Sequence, residues 1–145
     1  IKELEIDYLP NEIFKLTNLE SLHMGYNNLK EFSEEISNLT KLEELTIRSW
    51  NLKKLPKEIG NLYNLKKLEI NSDDLEELPK EIGSLTKLKE FTIRCWNLKK
   101  LPKEIGNLAN LKALDIGSVN LNKLPKEILN LNKLKNIQIN HYFDR

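Results

Sequence analysis

The sequence predicts an α/β solenoid, a right-handed superhelix with a parallel β-sheet on its concave face and short helical or 3-10 turns on its convex face. Three observations predict it. The 145-residue chain is self-similar with a period of 23 residues, which marks a stack of like units. The first half of each unit alternates apolar and polar residues, as a strand buried on one face does. The second half changes to spacings of three and four, the period of a helical turn.

Each unit opens with the strand. Leucine recurs at Leu19, Leu42, Leu65, Leu88, Leu111 and Leu134, and three residues later stand Leu22, Leu45, Leu68, Phe91, Leu114 and Ile137. Two further on come Met24, Ile47, Ile70, Ile93, Ile116 and Ile139, so the strand reads L-x-x-L-x-I. The returning turn follows, with Leu55, Ile59, Leu62 and Leu65 spaced by four, three and three. All five prolines (Pro10, Pro56, Pro79, Pro102 and Pro125) follow the leucine that starts this turn. A fixed φ and a missing N–H suit a first helical position there. Gly60, Gly83 and Gly106 follow the isoleucine, where a left-handed stop conformation is expected. A strand and a turn cannot bury both apolar edges alone, so the units must stack and their strands pair in parallel. Strands about 4.8 Å apart and turns about 10 Å wide do not stack flush, which puts the sheet on the inner curve. One domain over 1–145 is expected, divided into a partial repeat 1–18, repeats 19–41, 42–64, 65–87, 88–110 and 111–133, and a terminal partial repeat 134–145.

Composition narrows the function classes. Twenty-three basic residues against 22 acidic ones leave a formal charge of +1, so no net field favours nucleic acid. No stretch approaches the roughly 18 apolar residues of a membrane span, and membrane insertion is not expected. The single cysteine, Cys95, has no partner for an internal disulfide. The chain opens at Ile1 in mid-unit, which reads as a piece of a longer protein.

The string Leu-Pro-Lys-Glu-Ile-Gly-Asn-Leu stands at 55–62 and again at 101–108. It resembles the leucine-rich repeats of bacterial surface or secreted proteins of the leptospiral type, and is similar to the plant intracellular Ras-group-related repeats. The resemblance covers essentially the whole chain. It implies a leucine-rich-repeat solenoid that recognises proteins, in a secreted or cell-surface bacterial setting, but this fold hosts unrelated roles.

The usual leucine-rich unit places asparagine at its ninth position, where the amide pairs with backbone of the buried turn. Here the ninth positions are Asn27, Trp50, Asp73, Trp96 and Val119, and the tenth are Asn28, Asn51, Asp74, Asn97 and Asn120. Two arrangements follow. Either the tryptophans fill the core and the tenth residues are surface turns, or the ladder shifts to Asn51 and its equivalents and Trp50 and Trp96 emerge at the rim of the concave face. The segment 46–56 also recurs almost unchanged at 92–102. Units thus alternate in two types, placing an Arg and a Trp on every second strand, about 10 Å apart across two strand spacings.

The fifth, seventh and eighth positions are expected to point outward on the sheet. They hold His23, Thr46, Glu69, Thr92, Asp115 and Gln138; Gly25, Arg48, Asn71, Arg94, Gly117 and Asn140; and Tyr26, Ser49, Ser72, Cys95, Ser118 and His141. Guanidinium forks, hydroxyls and aromatic rings suit protein recognition. The candidate partner-binding residues are Tyr26, Arg48, Trp50, Glu69, Asn71, Arg94, Trp96 and Asp115. A protein–protein interaction module is the expected function; the alternative is a substrate-recruiting or sensing domain of a larger enzyme or immune-type receptor.

Catalysis is not expected. His23 and His141 are five repeats apart, about 24 Å along the stack, too far to share a proton or a metal. Glu69 and Asp115 stand two strands apart on an open sheet with no closed pocket for acid–base work. No zinc spacing, phosphate loop or nucleophile elbow occurs, so neither cofactor nor metal is expected. The register breaks at both ends, with Asp144 where a leucine is due. Solenoid ends need covering, so either flanking sequence or another copy of the chain is expected there, the latter by end-to-end self-association.

Overall fold

The computed structural model describes residues 3–6 and 8–141; Asp144 and the tetrapeptide 142–145 lie outside them. Seven strands form one sheet in sequence order: β1 (Glu3–Ile6), β2 (Ser21–Met24), β3 (Glu44–Arg48), β4 (Lys67–Ser72), β5 (Glu90–Cys95), β6 (Ala113–Gly117) and β7 (Asn136–Asn140). Every neighbour pair is parallel, and β3 to β7 pair throughout at the 23-residue offset, as in Leu45↔Leu68, Leu68↔Phe91 and Phe91↔Leu114. Between strands the chain returns through 3-10 turns: η1 (Asn11–Lys15), η2 (Glu34–Asn38), η3 (Lys57–Asn61), η4 (Lys80–Ser84), η5 (Lys103–Asn107) and η6 (Lys126–Asn130).

The core lies between the strand layer and the turn layer. Leu45, Ile47, Leu68, Ile70, Phe91 and Ile93 fill it from the strands, and Ile59, Leu62, Ile82 and Leu85 from the turns; all are fully or almost fully buried. Each apolar column extends through the stack, so a unit buries its side chains against both neighbours.

Two local expectations need correction. The prolines precede the turns: Pro56, Pro79 and Pro102 have extended ψ, and their carbonyls accept the first turn bond, as in Ile59 N–H to Pro56 O at 3.1 Å. Nor do the glycines adopt a left-handed conformation, since among the described residues no glycine has positive φ. Their role is close approach. A Cβ on Gly83 would stand 2.6 Å from the backbone oxygen of Glu104 in the next turn, and one on Gly60 2.7 Å from that of Glu81. The turns stack tightly because nothing projects between them.

The two-unit alternation has a structural counterpart at the turn preceding each strand. Asn18, Lys41, Asn64, Lys87, Asn110 and Lys133 form one column. Lys41 donates to Asn18 Oδ1 at 2.6 Å, Lys87 to Asn64 Oδ1 at 2.7 Å and Lys133 to Asn110 Oδ1 at 2.7 Å. The amides of Asn64 and Asn110 donate to Thr40 O and Thr86 O of the unit before. Asparagine accepts from one neighbour and donates to the other, while a lysine can only donate, so the two residues suit alternate places in the column.

Candidate functional site

The side chains at the strand exits continue the alternation of the strand itself. At the end of β3, Ile47 points in and Arg48 out; just past it Ser49 points in, and Trp50 emerges 46% exposed. In β5 the sequence Ile93, Arg94, Cys95, Trp96 repeats this order, with Trp96 half-buried. The tryptophans are therefore at the rim, but the ladder that accompanies them is not the expected one. It runs through the eighth position, whose side chains point inward in four units. Ser49 Oγ donates within 2.8 Å of Leu29 O, Ser118 Oγ within 2.8 Å of Leu98 O, and Ser72 Oγ to Leu52 O at 2.9 Å. Cys95 fills the same slot, fully buried, with Sγ 3.8 Å from Ile70 O. Short hydroxyls fit where an amide would otherwise reach the turn, so Ser49, Ser72, Cys95 and Ser118 leave the outward set.

The first complete unit differs. His23 pairs with Thr46 at an offset of 23, but Asn27 pairs with Ser49 at 22, so β2 carries one extra residue before its exit. Such a bulge re-aims side chains. Asn27 turns inward, its Oδ1 accepting from Leu29 N–H and its amide donating to Gly25 O, both at 3.0 Å. Tyr26 is thrown onto the sheet side, 53% exposed, and its ring stacks on Trp50 with centroids 4.4 Å apart and planes at 11°. The Arg48 guanidinium carbon stands 6.0 Å from the centre of the Tyr26 ring.

Beside the aromatic pair the sheet face carries diagonal ion pairs, each from the seventh position of one unit to the fifth of the next. Arg48 places Nε and Nη2 at 3.1 and 3.0 Å from Glu69 Oε1, and Arg94 Nη2 is 3.0 Å from Asp115 Oδ2. The guanidinium forks therefore have carboxylate partners within the sheet, while the side chains of Arg48 and Arg94 stay 40% and 51% exposed. Asn71, between the two arginines in register, is buried, and its amide donates to Glu69 Oε1 at 3.0 Å. A cleft of about 210 Å³ opens between these groups, walled by Tyr26, Trp50 and Trp96 and lined by Asn71, Asp73 and Arg94. Gly117 edges it where the seventh position has no side chain to offer.

The structure thus brings five of the eight candidates (Tyr26, Trp50, Asn71, Arg94 and Trp96) to one cleft. Arg48, Glu69 and Asp115 are tied to that group by hydrogen bonds or ring contact. The lining also holds Ser72 and Gly117, which the sequence places in the outward columns without marking them as contacts, and Asp73, which it does not place there; the gap that Gly117 makes in the arginine column was the available signal.

Reactive groups are dispersed. His23 Nδ1 is 3.0 Å from Thr46 Oγ1 and its Nε2 is 3.7 Å from Glu44 Oε2. Burial pushes the Cys95 thiol up to about 12, which keeps it protonated and unreactive at neutral pH. Among the described residues no cluster of three or more His, Cys, Asp and Glu could hold a metal, and no helix is long and apolar enough to cross a membrane.

Residues 1–99 match the model of a leucine-rich repeat region. A leucine-rich-repeat protein of Leptospira interrogans is 41% identical, with a TM-score of 0.74 over 90% of this chain and 33% of its own. The plant peptide hormone receptor RGFR1, solved in complex with RGF2, is 29% identical, with a TM-score of 0.66 over 96% of this chain and 26% of its own. An internalin of Listeria monocytogenes, 22% identical over 96% of this chain and 47% of its own, shares the fold with a TM-score of 0.56. No curated protein matches. The chain spans a third or less of the first two relatives' lengths. With seven parallel strands, a 23-residue register and a family model that matches more than half its length, the chain belongs to the leucine-rich-repeat family.

Proposed function

We propose that this chain is a protein-recognition module that holds a protein or peptide partner on its sheet face, at the cleft flanked by Trp50 and Trp96. The single observation that carries the reading is the stacked, half-exposed Tyr26–Trp50 pair standing at the mouth of that cleft. Large rigid rings left in water at a concave polar site lose little entropy on binding and supply much of the contact energy of protein interfaces. The complex of the plant receptor relative with RGF2 supports a peptide-type partner. It also favours the second reading, in which the module is the sensing part of a larger receptor.

The test compares capture of a protein partner by Tyr26→Ser and Trp50→Ser with capture by Asn61→Asp and Lys103→Glu on the turn side. Loss of capture in the first pair alone fits the proposal, by about tenfold or more for each hot-spot ring. Loss in the second pair alone moves the interface to the turns.

The same reading includes self-association. β7 leaves Ile137 45% and Ile139 44% exposed. These columns continue those that each earlier unit buries under its neighbour, so either flanking sequence or a second copy presenting its own β1 edge fits over them.

A further inference from the structure

We infer that the cleft between Trp50 and Trp96 is a subsite for one arginine side chain of the partner, with Asn71 Oδ1 accepting from its guanidinium. The inference rests on the recognition role above and adds the chemistry of what is recognised.

The orientation of Asn71 is fixed by its neighbour. Its amide nitrogen faces Glu69 Oε1 at 3.0 Å, and a carboxylate oxygen can only accept. Its Oδ1 must therefore be the free end. That oxygen is buried and has no hydrogen-bond partner, on a residue only 8% exposed that lines the cleft. A buried acceptor without a donor costs about 1–3 kcal/mol, and a guest with N–H groups removes that cost. Asp115 Oδ1, on the same sheet face one strand beyond Arg94, is a second buried acceptor in the same condition.

Charge and shape select among donors. Around the cleft stand the carboxylates of Glu69, Asp73 and Asp115 against the guanidiniums of Arg48 and Arg94, an excess of one negative charge. An anionic guest would meet Asn71 Oδ1 with like partial charge, and both arginines already bond carboxylates. The walls are indole and phenol rings, whose faces attract cations, Trp most strongly. A planar guanidinium can stack on an indole while directing its N–H groups edgewise to an acceptor, which a tetrahedral ammonium cannot do as well. The volume, about 210 Å³, falls below the roughly 300–1,000 Å³ of pockets for drug-sized ligands. It suits one side chain.

The experiment titrates the 145-residue chain with N-acetyl-arginine amide and follows the fluorescence of Trp50 and Trp96, its two tryptophans. N-acetyl-citrulline amide, N-acetyl-glutamate amide and glucose are run in parallel. Saturable quenching by the arginine amide is expected, with citrulline weaker by about tenfold for loss of charge assistance. Asn71→Leu should weaken the arginine amide by a similar factor. Trp50→Leu, at an exposed position where folding is not at stake, should do so with Trp96 left as reporter. Equal response to citrulline, preference for glutamate or glucose, no saturation, or indifference to both substitutions would each overturn the assignment. Should arginine fail while partner capture still depends on Trp50, the subsite falls and the recognition role stands. If arginine binds but capture ignores Trp50, the recognition role falls instead.

Discussion

Ser49, Ser72 and Ser118 show how one column of small side chains can hold a solenoid's exit turns, while Cys95 at the equivalent position faces Ile70 O of β4. Ser118 Oγ lies 2.8 Å from Leu98 O and 3.1 Å from Trp96 O, which also accepts from Val119 N–H, so Ser118→Ala takes the hydroxyl from the buried Leu98 carbonyl and should cost about 1–3 kcal/mol in urea unfolding. A cost below about 0.5 kcal/mol would mean water replaces the hydroxyl. Cys95 occupies the same slot with a weaker donor. Its thiol should resist iodoacetamide until the chain unfolds, and Cys95→Ser should leave stability at neutral pH nearly unchanged. The pH dependence has a definite sign. The folded thiol is raised to about 12 from an ordinary 9.0, so its contribution is complete below pH 9 and is lost as pH rises towards 12. The urea midpoint of the native chain should therefore fall relative to Cys95→Ser between about pH 8 and about pH 10.5. A constant difference would show that Cys95 does not ionise differently in the two states. At this scale the sequence was only partly legible. Strand alternation, carried one step further, places Trp50 outward and Ser49 inward. The ladder was sought in the asparagines because an amide is the usual occupant, and nothing in a serine marks it as the shorter substitute. Equally, a diagonal contact such as Arg48 to Glu69 depends on side-chain reach across strands, which a column of outward positions does not encode.

At the scale of the element, the turns are specified by what they lack. Gly60, Gly83 and Gly106 let the next turn approach until a Cβ would stand 2.5 to 2.7 Å from its backbone oxygen. Backbone cannot move aside as a flexible side chain can, so Gly83→Ala should cost about 1–3 kcal/mol by overpacking. Ser84→Ala, exposed one residue away, is the control and should stay within about 0.5 kcal/mol. Equal midpoints for the two variants in urea would mean that the turns separate freely. The equivalent position in η1 is Phe14, which is buried, and η1 packs less closely on η2 than later turns do on one another. A large side chain there is thus tolerated where the turns stand further apart. The apolar spacing made the turns legible as elements. Their stacking distance was not legible, since glycine after isoleucine reads equally as a stop signal and as a contact.

Across the whole molecule, the unit that stabilises is the interface between repeats, so an unpaired face is where the chain departs from self-sufficiency. Among the described residues β7 presents an open strand edge, with Ile137 and Ile139 exposed on that strand, and a head-to-tail partner would extend the sheet without closing it. Leu129 works against that. It occupies the place of the glycines, and its side chain would prop the incoming turn away from η6 as Phe14 does in η1. Strands would pair while turns stayed apart, an interface smaller than those inside the stack. The 145-residue chain should accordingly show a mass that rises with concentration in light scattering. Ile137→Lys with Ile139→Lys should return it to the monomer by placing charge on the edge. Leu129→Gly should raise the associated fraction, because the turn layer can then close and bury area on both sides of the core. If Leu129→Gly instead lowers it, the leucine is itself the contact, and the second copy docks on the turn side without extending the sheet.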